Sequence, residues 1–426
     1  MPHPQDHRAA LPRALLLFGN FFLIILAYYH VKGVSRSLIL DFVSASDLPY
    51  VYIGSAALLL FLLPVYQQLV RCYSRVWIVI VACAVFSSLL VAFRFLLLDP
   101  NLMVAVSFYF LVDILSVVMV EQFWSLTNAS YRADQGRRWY GLIASGGLAG
   151  GMVGAQSAQR LIEYTSLSGD DMLLVAAFLI GVLLLSTAAL ARRGFYRETL
   201  SSPMMASQRA ALRGWQLFRG DRYLLLIATL LLIAQIAEPI VEYQFMNLVQ
   251  QTIPERHERD IYLNGFFSML SAVALAINLV LTPILLSRLG VIGALMVQPL
   301  ALAFTSAGFL FNPILGMAST MKIADRGLSY SINRSSRELL YVPVDPVTIY
   351  RAKAWIDMFG YRSFKIVGSG IILLLTGLLM PADSVRALSL VVIVLCLWWI
   401  ATVLALRVHF RMLAERSGEP PDRENL

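Results

Sequence analysis

The sequence has 426 residues, of which 58% are hydrophobic and 14% are charged. Soluble domains are about 45–50% apolar and about 25% charged, so this composition excludes a soluble enzyme. It predicts an all-α polytopic membrane protein. The net charge is +8. Most arginines lie in short connections between apolar segments, so the charge indicates membrane topology and we expect no nucleic-acid polymer as a partner.

Twelve segments are long and apolar enough to cross a membrane as helices. In chain order they cover 14–34, 48–70, 76–98, 102–128, 139–163, 171–191, 223–249, 261–286, 290–311, 314–340, 353–379 and 385–408. Basic residues concentrate in alternate connections, which predicts that both the N-terminus and the C-terminus are cytoplasmic. No cleavage site follows the first apolar segment, so we expect that segment to remain as the first span.

The longest polar connection divides the chain into two halves of six segments each. The predicted organisation is an N-terminal bundle at 1–191, a linker at 192–222, a C-terminal bundle at 223–408 and a polar cytoplasmic tail at 409–426. The linker is basic and carries Trp215, which is typical of a cytoplasmic amphipathic segment on the bilayer surface. A plain hydrated linker is the alternative.

The two halves share residues at a constant offset of 214 positions, at the start of the fifth and eleventh segments. The matches are Arg137 with Arg351, Gly146 with Gly360, and Val153-Gly154 with Val367-Gly368. Two parallel six-helix repeats form the major facilitator arrangement, so we predict two pseudo-symmetric six-helix bundles of that kind. The glycines of the fifth segment predict close helix packing, or alternatively a flexible element.

Charged residues inside apolar segments are the candidate functional residues, because such residues are retained where they face a bundle interior or a water-filled cavity. In the tenth segment, helical spacing places one polar stripe along the helix, formed by Lys322, Arg326, Ser329, Asn333, Ser336 and Arg337. A row of cations predicts a path for an anion. The alternative is a row that is neutralised by internal salt bridges.

Four other segments also carry charged or polar residues within their apolar sequence. The first has Lys32 and Arg36, the fourth has Asp113, Glu121 and Asn128 on one face beside Trp124, the seventh has Glu238 and Glu242, and the eleventh has Asp357, Arg362 and Lys365. An indole such as that of Trp124 can stack on a flat ring. The three cysteines and five histidines form no metal-binding spacing, and we expect neither a metal nor a cofactor.

Three short motifs carry a resemblance to a known family. The first reads Arg337-Glu338-Leu339-Leu340-Tyr341-Val342-Pro343, followed by Arg351-Ala352-Lys353-Ala354-Trp355-Ile356-Asp357. The second is Phe123-Trp124-Ser125-Leu126-Thr127-Asn128, and the third is Glu242-Tyr243-Gln244-Phe245. Together they resemble the ATP/ADP translocase family of plastids, obligate intracellular bacteria and other bacteria. The first segment departs from the family pattern: it keeps a basic residue in Lys32-Gly33-Val34-Ser35-Arg36 and has no acidic one.

The resemblance implies a major-facilitator-like transporter that exchanges nucleotides, with no enzymatic activity, in a bacterial inner membrane. The expected substrate is anionic: ATP, ADP or another phosphorylated or carboxylated solute. The predicted substrate-binding residues are Lys32, Arg36, Glu121, Trp124, Asn128, Glu242, Lys322, Arg326, Asn333, Arg337, Asp357 and Lys365. The bases would neutralise the anion, and the carboxylates would pair with the bases when the site is empty. Membrane lipid is the other expected partner.

Three alternatives remain open from the sequence. One is proton-coupled transport of a different small solute, with Asp113 or Glu242 as the titrating group. Another is a relative that has lost transport or that translocates lipid. A membrane enzyme is the third, although the chain has no nucleophile–base pair, metal cluster or phosphate-binding loop to support it.

Overall fold

The structure of the protein is a computed structural model. It describes residues 5–130, 133–196, 218, 220–341, 344, 348, 352–353, 355–379 and 381–416. The regular elements of this part of the chain are all helical. Most of the predicted linker, at 197–217, and the end of the predicted tail, at 417–426, lie outside the described residues. The division of the chain at that linker therefore stays a prediction.

The described residues form thirteen α-helices, which are numbered in chain order. They are α1 (Gln5–Phe42), α2 (Leu48–Cys72), α3 (Arg75–Leu96), α4 (Leu102–Ser130), α5 (Ala133–Tyr164), α6 (Met172–Arg192), α7 (Arg222–Thr252), α8 (Arg256–Ala276), α9 (Thr282–Phe311), α10 (Leu315–Leu328), α11 (Arg334–Leu340), α12 (Tyr361–Leu378) and α13 (Pro381–Arg416). Short 3₁₀ turns lie at Ala45–Asp47 and Gly169–Asp171, and π-helical turns at Ile277–Leu281, Ser329–Asn333 and Ile356–Gly360.

Each of the twelve predicted segments is helical in the described residues. Nine helical stretches of this part of the chain are long and apolar enough to span a membrane, and one of them, Arg256–Phe311, holds two predicted segments. The segments 139–163 and 314–340 are helical but less apolar, because the first is rich in glycine and the second carries the charged stripe. The chain is an integral membrane protein of the all-α class.

The ninth predicted segment begins at a sharp turn. Gly290, which interrupts the helical conformation of α9, has φ of 65°, a left-handed value that is strained for residues with a Cβ atom. This kink separates the predicted segments 261–286 and 290–311, and it lies at a residue that adopts the conformation without strain.

The described residues group into two compact units. Unit 1 contains 1–44, 64–201 and 253–275, where α1 packs against α4, α5 and α6, and α3 packs against α4 and α6. The start of α8 belongs to this unit and is tied to α1 by ion pairs. In these pairs Asp41 contacts both Arg256 and Arg259.

Unit 2 contains 45–63, 202–252 and 276–426. Helix α7 packs against α10, α12 and α13, while α9 packs against α10, α11 and α13. Most of α7 is buried in this arrangement, which is consistent with its high content of apolar residues. The candidate site described below is built largely from α7, α10, α11 and α12.

Equivalent glycines allow the same close helix contact in each unit. A Cβ atom added at Gly154 of α5 would lie 2.7 Å from the Leu26 carbonyl oxygen of α1, and one at Gly368 of α12 would lie 2.5 Å from the Ile236 carbonyl oxygen of α7. Only glycine fits such an approach. The structure thus shows close packing at the positions that the sequence offset of 214 relates.

Candidate functional site

The predicted cationic stripe lies along α10, the following π-helical turn and α11. The π-helical turn Ser329–Asn333 inserts an extra residue into the helix and changes its register. As a result, the stripe does not form one continuous row. Lys322 and Arg326, before the turn, pair with α7, whereas Arg337, after the turn, lines a cavity.

The first part of the stripe forms a buried ion cluster with carboxylates of α7. Lys322, whose side chain is 2% exposed, pairs with Glu242, and Arg326 pairs with Glu238. Lys365 of α12 adds a third cation, with its Nζ atom 3.8 Å from Glu238 Oε1. Glu238 and Glu242 are one helical turn apart, so α7 presents both carboxylates on one face.

Asn333 belongs to an amide network beside this cluster. Its Nδ2 atom donates to Gln298 Oε1 at 2.5 Å, and Gln298 Nε2 donates to the Asp325 carbonyl oxygen at 3.0 Å. Asn333, Gln298 and Asp325 are all buried. The network fixes α9 against α10 at the level of the π-helical turn, so Asn333 acts in the structure as a positioning group.

The second part of the stripe borders a cavity of about 240 Å³ in unit 2. It is lined by Leu231, Arg334, Arg337, Glu338, Tyr341, Lys353, Ile356, Asp357 and Tyr361. Typical ligand pockets have volumes of about 300–1,000 Å³, so this cavity accommodates a part of a larger ligand, such as its phosphate groups. Lys353 Nζ lies 2.6 Å from Glu338 Oε2 at the exposed side of the cavity.

Arg337 differs from the other predicted bases of unit 2. Its guanidinium donates to the Tyr361 hydroxyl at 3.4 Å and to the Asn333 carbonyl oxygen at 3.3 Å, and no carboxylate of the described residues pairs with it. Burial raises the pKa of the nearby Tyr341 hydroxyl, so this group stays protonated at neutral pH. The cavity therefore offers a guanidinium and phenolic hydroxyls to an anion.

Arg36 of unit 1 is engaged in an ion pair. Its Nη2 atom lies 2.5 Å from Asp113 Oδ1, and both side chains are about one-tenth exposed. The guanidinium carbon also lies 3.9 Å from the centre of the Tyr109 ring. A buried pair that stacks on an aromatic ring is rigidly held, so Asp113 neutralises Arg36 in this structure.

Lys32 lies one helical turn before Arg36 on α1 and is surrounded by aromatic rings. Its Nζ atom is 4.2 Å from the centre of the Phe267 ring, 4.6 Å from that of Tyr29 and 5.5 Å from that of Tyr28. These distances fall within the range of cation–π contacts, which stabilise a charged lysine without neutralising it.

The predicted residues of α4 differ from one another in exposure, because Trp124 is partly buried whereas Glu121 and Asn128 are exposed. Trp124 packs edge-on against Phe21, Phe123 and Tyr140, with ring centres 5.4–5.7 Å apart. The side chains of Glu121 and Asn128 are exposed. In this structure the Trp124 ring is therefore partly covered by other aromatic residues.

The structure brings some predicted residues together and leaves others apart. In unit 2, Glu242, Lys322, Arg326 and Lys365 share one ion cluster, and Arg337 and Asp357 share the cavity. In unit 1, Lys32, Arg36, Glu121, Trp124 and Asn128 are distributed over α1 and α4. Substrate binding by these residues and by Asn333, the twelve predicted from the sequence, stays a prediction.

Sequence reasoning omitted several residues that the structure places in the site, among them Glu238, Asp325, Gln298 and Tyr361. Glu238 joins Arg326 to Lys365, and its spacing of four from Glu242 was the signal that could have included it. Asp325, Gln298 and Tyr361 are identified by their contacts alone. The described residues hold no group of three histidine, cysteine, aspartate or glutamate side chains suited to a metal ion.

Solved structures with a similar fold are membrane transporters. A point mutant of the nucleoside transporter NupG superposes with a TM-score of 0.64 at 15% identity, over 94% of this chain and 99% of that chain. A bacterial homologue of the iron transporter ferroportin gives a TM-score of 0.61 at 14% identity, over 93% of this chain and 98% of that chain. At these identities the similarity establishes the fold, which is the predicted major-facilitator type.

Similar sequences include two carriers of Rickettsia conorii. ADP,ATP carrier protein 1 of Rickettsia conorii is 21% identical over 351 residues, which cover 73% of this chain and 70% of the carrier. ADP,ATP carrier protein 4 of the same organism is 22% identical over 338 residues, covering 70% of this chain and 66% of that carrier.

The sequence model of the TLC ATP/ADP transporter family matches residues 102–325 and 313–410, which is most of the chain. These ranges include α4 to α12, and with them the ion cluster and the cavity of unit 2. The family is one of transporters and not of enzymes, as the sequence motifs had predicted. This chain belongs to the TLC ATP/ADP transporter family.

Proposed function

We propose that this protein exchanges adenine nucleotides across a bacterial inner membrane by alternating access. Family membership supports the transport of a nucleotide, and the number of cations buried in membrane-spanning helices supports an anionic substrate. The basic connections between the helices support cytoplasmic termini. The substrate-binding residues are those predicted from the sequence, together with Glu238.

The observation that carries this proposal is the environment of Arg337. Among the described residues of unit 2, the cations of the ion cluster contact carboxylates, whereas Arg337 forms no ion pair with Glu338 or Asp357, the carboxylates that line the same cavity. A guanidinium without a carboxylate partner can still form a bidentate contact with a phosphate. We therefore assign the first phosphate contact to Arg337, with the Tyr361 hydroxyl beside it.

The ion cluster accounts for the later steps of binding. Lys322, Arg326 and Lys365 are stabilised by carboxylates while the site is empty. A polyphosphate that replaces Glu238 or Glu242 as the partner of a cation changes which groups are paired, and so can favour one conformation over another. Guanidinium and ammonium groups bind both carboxylate and phosphate oxygens, so a phosphate can take the place of a carboxylate and leave again.

The test is an exchange assay on purified protein in proteoliposomes. Vesicles loaded with ADP are expected to take up labelled ATP with saturable kinetics, whereas vesicles without internal nucleotide take up much less. The double variant Arg337→Ala with Lys365→Ala is expected to lower kcat/KM for ATP at least about 100-fold, because two phosphate contacts of about 1.5–3 kcal/mol each are lost.

The matched control for this variant is Arg288→Ala. Arg288 lies in α9 of the same unit, and its side chain is exposed. Exchange by Arg288→Ala should equal that of the unmodified protein. Saturable exchange that survives the double variant would contradict the assigned site, and absence of saturable uptake of any nucleotide would contradict the proposed function.

A further inference from the structure

The cavity of unit 2 lies at one end of the helices that form it. Arg337 is in the last turn of α11, and Tyr361 is the first residue of α12. The connection between these two helices carries Arg351 and Lys353, and Lys353 also lines the cavity. Because basic connections are retained on the cytoplasmic side of a membrane, the cavity is predicted to lie at the cytoplasmic end of these helices.

The cavity carries an excess of positive charge. Its described lining includes three bases, Arg334, Arg337 and Lys353, and two acids, Glu338 and Asp357. The ion cluster has no such excess, because its described cations and carboxylates are equal in number. An anion that approaches from this end is therefore attracted to the cavity before it reaches the ion cluster.

Two guanidinium groups of the cavity come from one turn of the same helix. Arg334 and Arg337 are three residues apart in α11, so their side chains are neighbours on its surface, and both line the cavity. Like charges at this spacing repel each other while the cavity is empty. Two linked phosphates can offer oxygens to both guanidinium groups, whereas a single phosphate neutralises less of this charge. The arrangement therefore favours a polyphosphate chain over a monophosphate.

The cavity is too small for a whole nucleotide. Its volume is about 240 Å³, which is below the range of about 300–1,000 Å³ that is typical of ligand pockets. Its described lining residues include no asparagine or glutamine, the side chains that form paired hydrogen bonds with adenine. The phosphates are thus the part of a nucleotide that the cavity can recognise, while the base stays outside it.

The cavity and the ion cluster are too far apart to hold the same phosphates. The helical stretch from Arg326 to Arg337 is about 16 Å long at a rise of about 1.5 Å per residue, which exceeds the length of a triphosphate chain. We infer that the cavity is an entry site, which binds the phosphate chain of any nucleoside di- or triphosphate that arrives from the cytoplasm, before the nucleotide moves on to the ion cluster. This inference rests on the proposed function. It adds Arg334 and Lys353 to Arg337 as binding residues.

The first test uses tripolyphosphate, a phosphate chain without a base. Titration calorimetry on the purified protein in detergent should show that tripolyphosphate binds at least about tenfold more tightly than AMP. Arg334→Gln should weaken the binding of tripolyphosphate at least about tenfold, because a charged hydrogen bond is lost. Arg288→Gln is the matched control, since Arg288 is an exposed arginine of the same unit outside the cavity, and it should bind tripolyphosphate as the unmodified protein does.

Lys353→Gln provides a second variant at the exposed side of the cavity. The Lys353 side chain is 33% exposed, so its replacement should leave the protein folded. It should weaken the binding of tripolyphosphate about fivefold, because an exposed charge contributes less than a buried one. The Tm in detergent shows whether each variant is folded, and Lys353→Gln decides if Arg334→Gln is not. Undetectable binding to the unmodified protein, or unchanged binding to a folded variant, would overturn the inference.

The second test determines the side of the membrane from which tripolyphosphate acts. Cys72 is exposed, whereas Cys83 and Cys396 are buried, so a membrane-impermeant maleimide should label Cys72. Cys72 ends α2 at a connection that is predicted to lie on the same side of the membrane as the cavity. The labelled fraction in intact proteoliposomes therefore gives the fraction of molecules whose cavity faces outward.

External tripolyphosphate at saturation should inhibit nucleotide exchange in that fraction of the molecules alone, and tripolyphosphate in the lumen should inhibit the remainder. Inhibition from outside that exceeds the labelled fraction would mean that tripolyphosphate acts at a site reached from both sides, and would overturn the inference. Exchange that tripolyphosphate does not inhibit would also overturn it. Absence of exchange by the unmodified protein would instead count against the proposed function, and calorimetry would then still decide whether the entry site exists.

Discussion

Lys322 is a buried basic residue with a carboxylate as its ion-pair partner. Its side chain is 2% exposed, and it pairs with Glu242. Removal of one partner of a buried ion pair leaves an uncompensated charge and lowers stability by about 3–5 kcal/mol. We expect Glu242→Gln to lower the free energy of unfolding by that amount, measured as a lower Tm of the purified protein in detergent.

A double variant distinguishes this loss of stability from a loss of transport. Glu242→Gln with Lys322→Met removes both charges, so Tm should recover toward that of the unmodified protein while nucleotide exchange remains absent. The exposed pair of Lys353 and Glu338 provides the control, since the Glu338 side chain is 65% exposed and Glu338→Gln should change stability by less than about 1 kcal/mol. Equal Tm values for the single and double variants would contradict this account of Lys322.

The sequence identified most of the charged residues but not how they pair. Helical spacing within one segment put Lys322, Arg326 and Arg337 on a common stripe, because that spacing is a local property. The partner of Arg326 is Glu238, which is far away in sequence, so this contact depends on how α7 and α10 pack. The π-helical turn between Arg326 and Arg337 has no local signal of its own and was not predicted.

Helix α12 owes its position to a glycine that faces α7. A Cβ atom at Gly368 would lie 2.5 Å from the Ile236 carbonyl oxygen and 2.6 Å from Pro239 Cγ, whereas one at Gly370 would meet nothing within 4 Å. The two glycines lie on the same helix, but of these two only Gly368 is in close contact with α7. Gly368→Ala must push α12 away from α7, and overpacking of this kind lowers stability by about 1–3 kcal/mol.

The comparison of Gly368→Ala with Gly370→Ala is therefore a matched experiment. We expect a lower Tm in detergent for Gly368→Ala. For Gly370→Ala we expect an unchanged Tm or a gain of up to about 1 kcal/mol, because alanine favours the helix over glycine. Similar losses for both variants would show that helix propensity and not contact with α7 governs these positions.

At the scale of the whole molecule, apolar length predicts where helices lie but not which distant segments pack together. Apolar length placed all twelve segments on helices, and the kink at Gly290 separates two of them. The compact units, however, assign 45–63 to unit 2 and 253–275 to unit 1. The membership of a segment in a unit depends on ion pairs and packing between segments that are distant in sequence, for example on the ion pair of Arg259 with Asp41. The order of the segments along the chain does not reveal these contacts.

The proposed orientation of the molecule rests on the arginines in its connections. The positive-inside rule predicts that Arg193 and the C-terminus lie in the cytoplasm and that Asp99, between α3 and α4, lies on the opposite side. Alkaline phosphatase requires disulfide bonds, which form in the periplasm and not in the cytosol. A phosphatase fused after Asp99 should therefore be active, and phosphatases fused after Arg193 or residue 426 should be inactive. Activity of the fusion after residue 426, with the fusion protein intact by immunoblot, would reverse the assigned orientation.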